Sequence, residues 1–191
     1  MTTLTTFILT AIVATYTAGA KVAPPEATKL NLVRLAHVFS DAVEDAPVLP
    51  FEGPAAREAS AALLAVVAWT EGGYSRDVEQ CRRVGDQGRS VSLFQLMAGP
   101  ARGGHSAKEI CASTALSAQL ALRTFSLAKT PSFARMINVY ATGRETATSF
   151  GALKIRNFFL KFAESEKIVI LTKEGAARPW AEFALAHPPQ L

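Results

Sequence analysis

Only three histidines and two cysteines occur among the 191 residues, and no charged side chain precedes Lys21. His37, His105 and His187 are far apart and none belongs to a His-Glu-x-x-His helix, so no metal site is expected. Also missing are a Walker loop, a dinucleotide glycine fingerprint after a strand and a Gly-x-Ser-x-Gly elbow. Phosphoryl transfer, nicotinamide chemistry and triad hydrolysis therefore lack their residues, and no cofactor is expected. The chain has no dense Lys/Arg run and no aromatic ribonucleoprotein motif, which argues against a nucleic-acid partner.

What is present is enough apolar material for a core. The chain is 49% hydrophobic with a formal net charge of +4, too apolar and too weakly charged for a solvated coil. Its length fits one domain of roughly 150 residues with short additions. The charge is uneven: residues 21–71 hold four basic and seven acidic side chains, residues 72–161 thirteen and five, and residues 162–191 three and four. An anionic partner would be drawn to the middle section.

Residues 1–20 are uncharged, nearly all apolar from Phe7 to Val13, and end in Ala18-Gly19-Ala20, which fits a signal peptide cleaved after Ala20. The same stretch has seven threonines and no basic start, so a membrane anchor or a buried first helix stays open. Cys81 and Cys111, thirty positions apart, match neither zinc spacing nor a redox Cys-x-x-Cys. In an exported chain they would form a disulfide worth about 3 kcal/mol in the chain-entropy model. In a cytoplasmic chain they would be reduced core thiols.

Hydrophobic spacing predicts a mainly α fold. After Pro24-Pro25 comes one helix with Leu30, Val33, Leu35, Val38, Phe39 and Val43 inward, and a second runs from Gly53-Pro54 to Gly72-Gly73. Residues 74–91 read as a loop or short hairpin. Ser106 and Glu109 form a capping-box pattern opening a helix over 107–129, with Ile110, Leu116, Leu120 and Leu127 inward. A helix from Pro131 closes at Gly143, and residues 146–164 form the last, with Phe150, Leu153, Phe158 and Phe162 inward. Only Lys167–Thr172 looks like a strand. The expected organisation is a signal or anchor segment over 1–20, a helical extension over 21–52, a catalytic domain over 53–164 and a C-terminal extension over 165–191.

One carboxylate stands out. Glu71 ends the second helix on the stripe of Leu64 and Ala68, beside Trp69 and before two glycines. A negative charge there opposes the helix dipole, and an apolar stripe desolvates it; both raise its pKa. An acid kept protonated near neutral pH can donate its proton to a leaving oxygen.

Downstream lie Tyr74-Ser75, then GDQGRSVSLFQLMAGP (Gly85 to Pro100), then NVYATG (Asn138 to Gly143). Over about residues 55–162 this resembles the lysozyme-like lytic transglycosylase family. Glu71 matches that family's helix-ending acid, Ser92-Leu93-Phe94-Gln95 its Gly-Leu-Met-Gln-type block and Val139-Tyr140-Ala141-Thr142-Gly143 its Ala-x-Tyr-x-x-Gly block. The Gly-Asp-x-Gly-x-Ser portion is similar to shorter members of the lysozyme superfamily. Ser92 replaces the usual glycine, Ala141 replaces an asparagine, and the stretch between Glu71 and Gln95 is longer than in common members. With Cys81 inside it, that insertion would be a lid tied to Cys111 on the next helix.

The resemblance implies a lysozyme-like helical domain acting on the β-1,4 glycan of peptidoglycan, with Glu71 as the single acid/base. Gln95, Tyr140, Ser90, Ser92 and Tyr74 would be substrate-binding. The alternatives are a muramidase using Asp86 as second carboxylate, or a non-catalytic lysozyme-fold module that binds glycan or a partner. The protein would be a periplasmic or secreted monomer. Association with a membrane, a secretion complex or a virion, and a phage origin, are compatible with this reading.

Overall fold

A computed structural model describes residues 3–99, 104–128 and 132–165. Among these it is mainly helical, with α1 (Thr3–Ala20), α2 (Glu26–Glu44), α3 (Ala56–Gly72), α4 (Arg76–Glu79), α5 (Ala107–Ala112), α6 (Thr114–Phe125), α7 (Phe133–Thr142) and α8 (Phe150–Ser165). The only sheet among them is a two-stranded antiparallel hairpin, β1 (Ser90–Val91) against β2 (Leu96–Met97), with Val91 opposite Leu96. The stretch 74–91, expected as a loop or short hairpin, holds α4, a loop and a 3-10 turn, and the hairpin begins only at its end. The strand expected over 167–172 lies outside the described residues.

α3 is the central helix. Its side chains from Ala59 to Ala68 are buried, and α1, α2, α6 and α8 all pack on it. Many of those side chains are alanines, so neighbouring helices approach closely. α1 takes the most intimate seat: Ile8, Ala11 and Ile12 are fully buried, and Tyr16 packs on Trp69 with ring centroids 5.1 Å apart. A Cβ added at Gly19 would lie 2.1 Å from Trp69 Nε1, so only glycine fits there. The Thr5 hydroxyl donates to Ser40 Oγ on α2 at 3.1 Å, and Phe7 meets Phe162 of α8 edge-on at 6.0 Å. α1 is also long and apolar enough to cross a membrane by length and composition. One hydrophobic cluster runs through α1, α2 and the rest, so residues 3–20 and the expected extension over 21–52 share the core of the later helices.

The helix boundaries follow local chemistry. Gly73 adopts the left-handed conformation (φ 60°) and its N–H donates to the Ala68 and Trp69 carbonyls, which ends α3 where the glycine pair predicts. Gly143 (φ 74°) ends α7 in the same way. The capping box of Ser106 and Glu109 opens α5 as expected. The long helix expected over 107–129 is broken, because extended Ser113 accepts from the Leu116 N–H and starts α6 afresh.

Three inward assignments are also overturned: Leu30, Leu127 and Phe150 are 77%, 53% and 84% exposed. On α2 the buried stripe is Leu32, Leu35, Ala36, Phe39 and Val43, one notch from Leu30. On α8 it is Ala152, Ile155, Phe159 and Phe162, and Phe159 stacks on Phe51 and Phe133.

Candidate active site

α3 delivers Glu71 to an open cleft. The helix carries its final turn past the hairpin at close range, since a Cβ on Gly72 would lie 2.9 Å from the Leu93 carbonyl oxygen. Glu71 emerges between that hairpin, the end of α7 and the start of α8, in a cleft of about 700 Å³ that falls in the size range of small-ligand sites. Asp86, Ser90, Gln95, Tyr140 and Glu145 line it with Glu71. Three segments far apart in sequence thus converge on one groove.

Each polar wall residue is held by identifiable bonds. The Ser90 hydroxyl donates to Asp86 Oδ2 at 2.6 Å, and Gln95 Nε2 donates to the Ser92 carbonyl at 3.1 Å. Gln95 Oε1 fills the space over Gly85, where a Cβ would fall 2.0 Å away. The Tyr140 hydroxyl donates to the Phe94 carbonyl, while its ring stacks on Phe125 at 4.3 Å. Tyr140 is therefore both a core residue and a cleft wall, and it ties α7 to the turn that carries Gln95.

The backbone here is unusual. Asp86, Gln87, Ser92 and Gln95, none of them glycine, have φ of 47°, 59°, 67° and 46°. Such conformations cost of order 1 kcal/mol or more each and cluster where a site demands them. Here they turn the 3-10 segment Asp86–Gly88 and the hairpin so that Asp86, Ser90 and Gln95 face the cleft.

Two expected contacts do not reach the cleft. Tyr74 is buried beneath α1, its hydroxyl donating to the Ala65 carbonyl at 2.8 Å and its ring against Trp69. Burial pushes its phenol well above the usual range, with a hydrogen bond to Thr15 acting the other way. Its left-handed backbone (φ 54°), just after the Gly73 cap, turns the ring back into the core. Ser92 is also buried, and its Oγ accepts from the Phe94 N–H at 3.4 Å within the hairpin turn.

Cys81 and Cys111 form the disulfide, with Cα atoms 5.7 Å apart. It ties the segment after α4 to α5. Beside it, Glu79 binds Arg34 Nη2 at 2.5 and 2.7 Å and accepts from the Thr114 hydroxyl.

Burial raises the Glu71 pKa first of all; Lys154 pulls it down and Asp86 adds a further upward push. Desolvation thus dominates, as the apolar stripe predicts. The opposing end of the helix dipole is offset, because the Lys154 ammonium donates to the Thr70 carbonyl at 3.0 Å. Lys154 and Glu145 escape sequence reasoning. Glu145, two residues past Gly143, is signalled only by its nearness to the Tyr140 block, and Lys154, 84 positions from Thr70, by nothing local.

Among the described lining residues three are acidic and none is Lys or Arg, so the positive excess of the middle section is not concentrated on the cleft. No group of three or more His, Cys, Asp or Glu among the described residues could hold a metal ion. The arrangement offers a raised-pKa acid, a second carboxylate and fixed hydroxyl and amide groups along a groove. Comparison of the chain with protein-family models, with curated proteins and with solved structures gives no match.

Proposed function

We propose that the protein is a lysozyme-like lytic transglycosylase that cuts the β-1,4 bond between N-acetylmuramic acid and N-acetylglucosamine in peptidoglycan, with Glu71 as its acid/base. One observation carries the reading: a carboxyl with a raised pKa opens into a groove walled by the Ser90, Gln95 and Tyr140 segments of the resemblance. Protonated Glu71 gives its proton to the glycosidic oxygen as the bond from the muramic C1 breaks. The carboxylate left behind takes the proton of the muramic C6 hydroxyl, and O6 bonds to C1 to close a 1,6-anhydro ring. The proton lost in the first step returns in the second, and no water is consumed.

A muramidase is the second reading, favoured by Asp86 on the same wall and by its charge acting on Glu71. There Asp86 would be the partner carboxylate and water the acceptor. Against it, one Asp86 oxygen is already engaged by Ser90. Mass analysis of the products from purified sacculi separates the two. The anhydro product is lighter by one water, and finding only the hydrated product excludes the transglycosylase.

Peptidoglycan lies outside the cytoplasm. The apolar N-terminal helix and the disulfide both agree with export to the periplasm or beyond.

A further inference from the structure

The positive charge acting on Glu71 comes from a different helix. Lys154, on α8, donates its hydrogen bond to the Thr70 carbonyl, one residue before Glu71. That carbonyl belongs to the last turn of α3, where carbonyls lack intrahelical partners. α3 has no basic residue in its own last turn, so Lys154 supplies from outside what a helix end ordinarily supplies from within. The other ionisable groups facing the cleft are Asp86 from the 3-10 segment, Tyr140 from α7 and Glu145 from the α7–α8 connection. Glu145 has Arg135 at 3.7 Å. Of these, Asp86 is the charge that acts against an ionised Glu71, and Lys154 is the group opposing it.

We propose that Lys154 is a positioning residue for Glu71, fixing the end of α3 through Thr70 and presenting a positive charge to the carboxyl between its two proton transfers. The proposal rests on Glu71 being the acid/base. Once Glu71 has released its proton it is a partly desolvated carboxylate, and the fixed ammonium offsets part of that desolvation. Without the cation the carboxylate is less stable, so Glu71 holds its proton to higher pH and parts with it less readily.

The test uses the full chain with Lys154→Gln, which keeps a donor for the Thr70 carbonyl without the charge, and Lys154→Arg, which keeps the charge. Carbon NMR of the Glu71 carboxyl reads its titration midpoint without reference to activity. A rise in Lys154→Gln and an unchanged midpoint in Lys154→Arg are expected. The alkaline limb of kcat/KM for muropeptide release should move to higher pH in Lys154→Gln, with kcat down about tenfold, and recover in Lys154→Arg. If Lys154→Gln does not fold, Lys154→Met replaces it. An active wild type with an unmoved midpoint and alkaline limb in the charge-free variant overturns the proposal while leaving the Glu71 reading intact. A moved midpoint in a protein that cleaves no glycan overturns the acid/base reading instead.

Discussion

Glu71 and Glu79 lie on the same short stretch of chain, and both are carboxylates withdrawn from bulk water, yet their surroundings are opposite. Glu79, with a side chain only 6% exposed, has Arg34 on both oxygens, the Thr114 hydroxyl on one and Arg76 at 3.8 Å. For Glu71 the influences are desolvation and two charges, none of them a hydrogen bond, and it faces a cleft. A buried carboxylate given its full set of donors ties elements together, here α2, α4 and α6. One without such bonds beside an open groove holds its proton to higher pH and can exchange it with a ligand.

Breaking the structural member of the pair should have the largest effect on folding. Glu79→Ala leaves Arg34 and Thr114 without their common acceptor and is expected to lower unfolding free energy by about 3 kcal/mol in urea titration. Arg34 is partly in water, which keeps the loss below that of a fully buried pair.

Glu71→Gln should act on stability in the opposite sense. The raised pKa means the native state binds more protons than the unfolded chain, so the stabilisation is complete below the ordinary carboxylate range and is lost as pH rises through the folded value. The variant has no such loss. Thermal melts should coincide near pH 4 and separate as pH rises to 7, with Glu71→Gln melting higher. A variant that melts lower at pH 7 would mean that Glu71, like Glu79, is a structural tie.

The smallest change in fold sharpens the contrast from the substrate side. Gly85→Ala places a methyl where Gln95 Oε1 sits, and the flexible end of that side chain can move away. Melting should shift by no more than that expected from about 0.5 kcal/mol. Muropeptide release should fall several-fold through KM, as Gln95 leaves its place on the cleft wall.

Much of this was legible in the residues, and the remainder fails for specific reasons. Gly72-Gly73, Gly143 and the Ser106 to Glu109 box mark helix ends correctly because caps are local chemistry. Glu71 is legible because an acid at the end of an apolar helical stripe conflicts with both its helix and its surroundings. Leu30 and Phe150 mislead because spacing alone does not say which part of a helix face meets the core, and Leu127 because α6 ends at Phe125 and leaves it beyond the helix. The break at Ser113 is hidden because Ser-Thr inside an apolar helix reads as tolerated until its capping bond is seen.

Tyr74 follows Glu71 closely enough to be read as a substrate contact, and only the left-handed turn at that residue shows why its ring goes to α1. For α1 itself, a signal, an anchor and a core helix share one composition; the Gly19 contact with Trp69 gives it a place in the core without excluding the other uses. Lys154 comes from the far end of the chain, so its contribution exists only after α8 has docked on α3.

The most direct test is to incubate purified sacculi with wild-type protein and with Glu71→Gln, recording soluble muropeptides and bound protein in each. The expected result is release by the wild type, release reduced by a thousandfold or so in the variant, and equal binding of both to the sacculi. Undiminished release by Glu71→Gln would contradict the assignment of this carboxyl as the proton donor.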